Sequence, residues 1–293
     1  VAACEEETTS SSSSAAANDP NALRIVSGSE NRTLEPIIMQ WAADNGEAVV
    51  VDYLGSVDIA RLLQAGGGTY DAVWPANSLW LNYGDTQNLV QHETSIMRSP
   101  VVMGVKRTVA ENLGWIDAEV TMNDILEAAE SGSLRFMMTS ATQSNSGASF
   151  YFAALSAFAG SPEVLTSDDL ESESVEQQIT RILGTVNRSS GSSGWLADLF
   201  LNTYNLYDGM VNYEAVVIET NLELEQRGLE PLYAIYPVDG LAIADSPLGF
   251  VRRSDNEAKE ETFLALQEYL LSEEAQGLLL GEGRRAGLIG LQL

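Results

Sequence analysis

The chain has 293 residues and only one cysteine, Cys4, so no intrachain disulfide can staple it. Lysine is nearly absent, with Lys106 and Lys259 alone, and the single histidine is His92. Fifteen basic residues stand against 42 acidic ones, a formal net charge of −27. That shortage of positive charge excludes nucleic acid as the main partner, because phosphate neutralisation needs a basic face. It equally disfavours electrostatic docking on anionic lipid. No apolar run reaches 18 residues, so no segment reads as a membrane span. What is present is ordinary for a packed protein: 45% hydrophobic residues and 8% aromatics supply core for one large domain or two moderate ones.

The cysteine carries information through its position. Val1-Ala2-Ala3-Cys4 resembles the last residues of a bacterial lipoprotein signal, in which small residues precede a cysteine that receives a lipid. The alternative is a terminal thiol without a role. Residues 5–20 are acidic, then Ser-rich, then Ala-Ala-Ala-Asn-Asp-Pro, with no periodicity, the composition of a flexible tether.

From Ala22 the pattern is strand, turn, helix, three times over. Leu23–Val26 reads as a strand and Ser27–Asn31 as the turn after it. Leu34, Ile37, Ile38, Trp41 and Ala42 then trace one helical stripe that Gly46 ends. Ala48–Tyr53 is a continuous apolar, β-branched strand of the kind buried parallel sheets require. Gly55-Ser56 opens a helix with Ile59, Leu62 and Leu63, and Gly66-Gly67-Gly68 stops it. Tyr70–Trp74 is a third strand, and Pro75–Ser78 starts another helix. This βαβ order predicts a parallel sheet. A second block begins near Ser99 with strand Val101–Val105, a helix over Met122–Glu130 with Ile125, Leu126 and Ala129 on one face, and strand Leu134–Thr139. Ser140–Gly147 reads as a polar loop capping the apolar helix Ala148–Ala159, and Arg188–Gly194 as a further loop before the helix Trp195–Tyr204. Asn212–Val217 is a strand end and helix start, or the reverse. Leu232–Pro237 and Ser246–Val251 are extended, and two helices, Asn256–Leu271 and Ser272–Gly281, finish the pattern.

The order of these elements resembles the type II extracellular solute-binding proteins, the receptor components of ABC-type importers. The motifs that carry the resemblance are Ser27-Gly28-Ser29-Glu30 after the first strand, Tyr70-Asp71-Ala72-Val73-Trp74-Pro75-Ala76-Asn77, the crossover-like Ser99-Pro100-Val101-Val102-Met103-Gly104-Val105, and Leu270-Leu271-Ser272-Glu273-Glu274-Ala275-Gln276-Gly277. The nearest group is similar to the molybdate, sulfate and phosphate receptors. It also includes relatives found beside von Willebrand factor A domains, with which Tyr236-Pro237, Asp239-Gly240 and Asp245-Ser246-Pro247 are shared. The resemblance implies an α/β, two-lobed fold, each lobe a central mostly parallel sheet flanked by helices. It implies a tether over 1–21, lobe I from 22–99 with 246–293, and lobe II over 100–245, hinged near Ser99 and between Tyr236 and Ser246. The function implied is a monomeric, lipid-anchored receptor outside the cytoplasm, closing over a small anionic ligand and recognised by a membrane permease or a signalling domain. A non-transport sensory or adhesion module, on its own or fused to a von Willebrand factor A domain, is the alternative, and an extracellular hydrolase a further one.

In such folds ligands lie beyond the carboxyl ends of parallel strands. The residues expected there are Ser27, Ser29, Glu30, Ser56, Asp58, Asn77, Ser78, Ser144, Asn145, Ser146, Tyr213 and Glu214. Hydroxyls and amides at helix starts suit an oxyanion, since helix N-termini offer free N–H groups and partial positive charge. The same residues are also the preferred N-caps and turn formers whatever the ligand. Glu30, Asp58 and Glu214 would repel a dianion if they face it and would favour a cation or amine instead. Trp74 and Trp80 read either as core or as an aromatic wall. Gln91-His92-Glu93 has no partner set by spacing, and no nucleophile elbow, Walker sequence or metal-ligand spacing occurs, so no catalytic residue, cofactor or metal is expected.

Overall fold

The computed structural model describes residues 19–286, so Cys4 and nearly all of the tether lie outside the described residues. The described chain forms two compact units, one running up to Arg98 and resuming at Asp245, the other spanning Ser99–Ala244. In chain order the first unit holds β1 (Leu23–Gly28), a 3-10 turn (Ser29–Leu34), α1 (Glu35–Asn45), β2 (Val49–Leu54), α2 (Ser56–Gln64), β3 (Ala72–Trp74), α3 (Ser78–Gly84) and β4 (Val90–Ser95). The second unit follows with β5 (Ser99–Lys106), α4 (Arg107–Leu113), α5 (Met122–Glu130), β6 (Phe136–Thr139), α6 (Asn145–Phe158), α7 (Ser167–Leu170) and α8 (Glu173–Gly184). It continues through β7 (Arg188–Ser190), α9 (Ser193–Asn202), β8 (Gly209–Tyr213), α10 (Glu214–Gln226), β9 (Leu232–Ile235) and β10 (Ile243–Ala244). The chain then returns to the first unit for β11 (Pro247–Val251), α11 (Glu260–Leu270) and α12 (Glu273–Gly281).

The first unit is built on a sheet of order β2-β1-β3-β11-β4. β1 pairs in parallel with β2 and β3, whereas β11 runs antiparallel to both β3 and β4. Alternate residues of β1 serve opposite faces: Ile25 packs with Ile38, Phe263 and Leu266, and Val26 with Ile59, Leu63 and Leu81. Burial on both faces is why these strands read as continuous apolar runs. Gly46 ends α1 in the left-handed conformation expected of a helix-stopping glycine. Asp71 is fully buried and ties the unit's edge together. Its carboxylate accepts from the Arg24 amide (2.9 Å), Lys259 (2.9 Å), Arg253 (3.0 Å) and Asn256 (3.0 Å).

The second unit's sheet has the order β10-β5-β8-β6-β7, with β9 also pairing β5. Here β7-β6-β8 are parallel, and β5 is antiparallel to β8, β9 and β10. The mostly parallel sheets expected from the sequence are therefore mixed in both units. Hydrophobic content does not encode strand direction, and β5 and β11, which follow the crossings between units, enter their sheets against the parallel strands. β4, Val-Gln-His-Glu-Thr-Ser, is a strand that lacked any apolar alternation. In α5 the buried face is Met122, Ile125, Leu126 and Ala128, not Ala129, and a Thr121–Asp124 capping box starts the helix. Among the described residues, no helix is long and apolar enough to cross a membrane.

Candidate functional site

Parallel pairing places the carboxyl ends of β2, β1 and β3 at one edge of the first unit, with Ser27 opposite both Tyr53 and Trp74. Ser27, Ser29, Glu30, Ser56, Asn77 and Ser78 therefore gather at that edge. Much of their hydrogen bonding is turned inward. The Ser27 hydroxyl, fully buried, accepts from Asn31 Nδ2 at 3.1 Å, and the Ser56 hydroxyl accepts from the Ala76 amide at 3.0 Å. The Ser78 amide donates to Asp245 Oδ1 (2.8 Å) and the Leu79 amide to Asn77 Oδ1 (2.9 Å), so the start of α3 is already complemented. Trp74 is core, fully buried, its indole N–H reaching Ser246 at 3.1 Å. Ser246 itself sits in the left-handed region at φ 45° where the chain re-enters this unit.

Charge at this edge is mixed. Glu35 accepts from the Tyr53 hydroxyl at 3.0 Å, and burial followed by the Glu35 charge pushes the Tyr53 phenol well above its ordinary range. The Glu30 carboxylate lies directly against Gly28, where a Cβ would stand 2.0 Å from its Oε1. The Glu30 carbonyl accepts from the buried Arg284 guanidinium (2.5 Å), which also reaches Thr33 Oγ1 (3.1 Å), and the Arg32 guanidinium stands 6.0 Å from the Tyr53 ring centre. Asp58, in the first turn of α2, pairs with Arg61 at 2.6 Å on a half-exposed flank.

In the second unit the carboxyl ends of β6, β7 and β8 likewise share one edge, with Thr139 opposite Ser190. Asn145, Ser146 and Gly147 are not loop residues but the first turn of α6, because Gly147 lets the helix start against the strand backbone. A Cβ at Gly147 would lie 2.3 Å from the Thr139 carbonyl oxygen. Four hydroxyls meet there: Ser146 Oγ lies 2.8 Å from Thr139 Oγ1, 2.9 Å from Ser193 Oγ and 3.4 Å from Ser144 Oγ, and Ser144 and Ser193 are 3.3 Å apart. The Asn145 side chain donates to the Tyr213 hydroxyl at 2.9 Å, joining α6 to the β8–α10 junction.

Three helices begin at this edge, and they differ in how their ends are complemented. α10 opens with Glu214, whose buried carboxylate accepts from the Tyr236 hydroxyl and opposes the positive end of its own helix. α6 and α9 carry serine N-caps, Ser144 and Ser192, yet neither side chain caps its helix. Ser144 Oγ faces the hydroxyl cluster at 3.3 and 3.4 Å, and the buried Ser192 Oγ has no hydrogen-bond partner. Capping serines normally accept from the second or third helical amide; at α6 the third amide, that of Gly147, donates instead to Thr139 Oγ1 at 2.8 Å.

The structure thus groups Ser144, Asn145, Ser146, Tyr213 and Glu214, and adds Thr139, Ser192, Ser193 and Asn212, which sequence reasoning did not single out. Asn212 holds the Ser193 carbonyl at 3.0 Å. The one available signal was that Arg188–Gly194, Ser- and Gly-rich before an apolar helix, repeats the grammar of Ser140–Gly147. His92 lies on β4, 2.6 Å from Glu260 and away from either cluster of candidate residues in its bonding.

A family model described as bacterial extracellular solute-binding protein matches residues 23–285. The chain belongs to that family. No curated protein matches its sequence. Solved structures share the fold at low identity. The sulfate-binding protein SubI of Mycobacterium tuberculosis H37Rv is 17% identical with a TM-score of 0.62, covering 91% of this chain and 87% of that one. The periplasmic binding protein AfuA of Actinobacillus pleuropneumoniae, with fructose-6-phosphate bound, is 12% identical with a TM-score of 0.69 over 93% and 86%. The molybdate-binding protein of Azotobacter vinelandii is 13% identical with a TM-score of 0.61 over 89% and 98%. The fold is that of the two-lobed type II periplasmic binding proteins, which are binding proteins rather than enzymes. Members of such a family work outside the cytoplasm, taking small ligands for delivery to membrane permeases.

Proposed function

We propose that this solute-binding protein is a receptor anchored through a lipid on Cys4 that binds a small oxyanion-like solute for ABC-type uptake. The observation that carries the reading is the pair of helix starts at α6 and α9, which meet at a cluster of four hydroxyls. Such an end accepts negative charge without a cationic side chain. The Glu214 carboxylate is engaged by Tyr236, which leaves the reading compatible with an acid nearby. In the first unit Ser29, Ser56, Asn77 and Ser78 are the corresponding candidates.

The test is a thermal-shift panel of sulfate, molybdate and phosphate against putrescine, glycine and glucose. A true ligand at about 1,000 times its Kd adds about 4 kcal/mol of stability, which moves Tm by several degrees. A shift with one of the oxyanions, weakened by Ser146→Ala relative to that variant's own baseline, is the expected result. A shift with putrescine or glycine alone, or none with any oxyanion, rejects the anion reading. For the anchor, the chain is expressed behind a bacterial lipoprotein leader with labelled palmitate. Label is expected on the wild type and absent from Cys4→Ser; label on both, or on neither, rejects it.

A further inference from the structure

The second unit carries a recess that the solute reading does not use. It lies on the flank of α6, where Tyr151 is six residues from Asn145, about 9 Å along the helix axis from its start. Tyr151 and Leu155 of α6, Leu170 of α7, and Val175 and Ile179 of α8 enclose about 420 Å³. That volume falls within the range of about 300–1,000 Å³ typical of small-molecule pockets, and the lining is the apolar majority with few polar groups that such pockets show. Of its lining, Val175 and Ile179 are buried, whereas Phe152 and Leu170 remain 43% and 52% exposed. Large apolar side chains left in water around a concave site gain by being covered.

Beside it runs the exposed face of α8, which shares Glu176 and Thr180 with the recess. That face also carries Glu173 and Arg181. The Arg181 guanidinium is held in a two-pronged pair by Glu130, Nε at 2.8 Å and Nη2 at 2.6 Å, so its charge is already answered. The rest of that face is Thr180, Gln177, whose amide donates to Glu173 at 3.1 Å, and the carboxylates of Glu173 and Glu176, on a chain whose formal charge is −27. An apolar recess beside an acidic helix face defines a ligand with a greasy body and a positive head.

We propose that the groove between α6, α7 and α8 is a second binding site, independent of the solute site, for a small cationic amphiphile. The apolar body fills the chamber between Tyr151 and Leu170, and the cationic head lies against Glu176 and Glu173. An anionic amphiphile of equal length meets the same apolar walls but is repelled by both carboxylates.

Isothermal titration of the full chain with octyltrimethylammonium and with octyl sulfate, each below its micelle concentration, reads the proposal directly. Saturable one-to-one binding of the cation is expected, about tenfold tighter than the sulfate, because the two differ only in attraction or repulsion at two partly screened acids. Glu176→Gln narrows the preference by about threefold, weakening the cation and relieving the repulsion of octyl sulfate. Phe152→Ser weakens both probes by about tenfold by removing apolar wall. Both positions are exposed, so an unchanged Tm certifies that each variant is folded. Absence of saturation with the cation, equal or tighter binding of octyl sulfate, or full affinity in Phe152→Ser overturns the proposal.

Discussion

Ser146 offers the sharpest test of how the second unit's candidate site is held. Its hydroxyl is fully buried and has two partners at good O–H···O distance, Thr139 at 2.8 Å and Ser193 at 2.9 Å, while the 3.4 Å approach to Ser144 is too long to count. At about 1 kcal/mol per bond, Ser146→Ala should cost about 2 kcal/mol. For a protein of this size that lowers Tm by about 4–8 °C. Ser193→Ala removes one good bond and should cost about 1 kcal/mol. Because the Ser146–Ser193 bond is common to both, the double variant should cost about 1 kcal/mol less than the sum of the singles. Urea unfolding followed by circular dichroism measures all four proteins, with the slope of the transition checked for constancy. Strict additivity, or a cost below about 0.5 kcal/mol for Ser146→Ala, would refute the claim that these hydroxyls act as one network.

Other perturbations probe the framework. Asp71→Ala leaves Lys259, its side chain 18% exposed, without its carboxylate, and Arg253, 20% exposed, with only the exposed Asp255. It should cost about 3 kcal/mol in urea unfolding, and a loss under about 1 kcal/mol would show the cluster to be ornamental. Gly147→Ala improves intrinsic helix propensity by about 1 kcal/mol, yet the added methyl collides with the Thr139 carbonyl, so net destabilisation of about 2 kcal/mol is expected and a gain in Tm contradicts the close-approach argument. Burial alone would raise the Asp208 carboxyl, but Arg135, bonding at 2.9 and 2.8 Å, outweighs it and holds it below its ordinary value of 3.8. The depressed value stabilises the fold above pH 3.8, and that contribution is lost as pH falls through the folded-state value. Asp208→Asn should therefore be less stable than wild type at pH 7, with the gap shrinking in acid; a gap independent of pH refutes the linkage.

Much of the element order was legible because its signals are local. The stripe Leu34 to Ala42, the Gly46 stop and the Ser272 cap appear in the structure as a helix over Glu35–Asn45 and a capped α12, since each depends on neighbours within a turn or two. β4 was not legible. Its side chains are half-exposed and polar, and only pairing with β11 makes it a strand. The helix start at Asn145 was missed by three residues because a Ser- and Gly-rich stretch has low helix propensity, and only the packing of Gly147 against β6 settles it.

By itself the sequence determined the alternation of strands and helices, the acidic character that excludes nucleic acid, and the Ser/Gly-rich stretches that precede apolar helices. Each of these follows from residues close in the chain. Only the tertiary structure decided which stretches meet. Ser146 and Ser193 are 47 residues apart, Trp74 and Ser246 172, and Glu30 and Arg284 254, and no local pattern ties such partners together. Parallel β7-β6-β8 pairing brings Ser193 beside Ser144 and Ser146. Sheet order, not sequence spacing, thereby determines which helix starts and which hydroxyls share one edge.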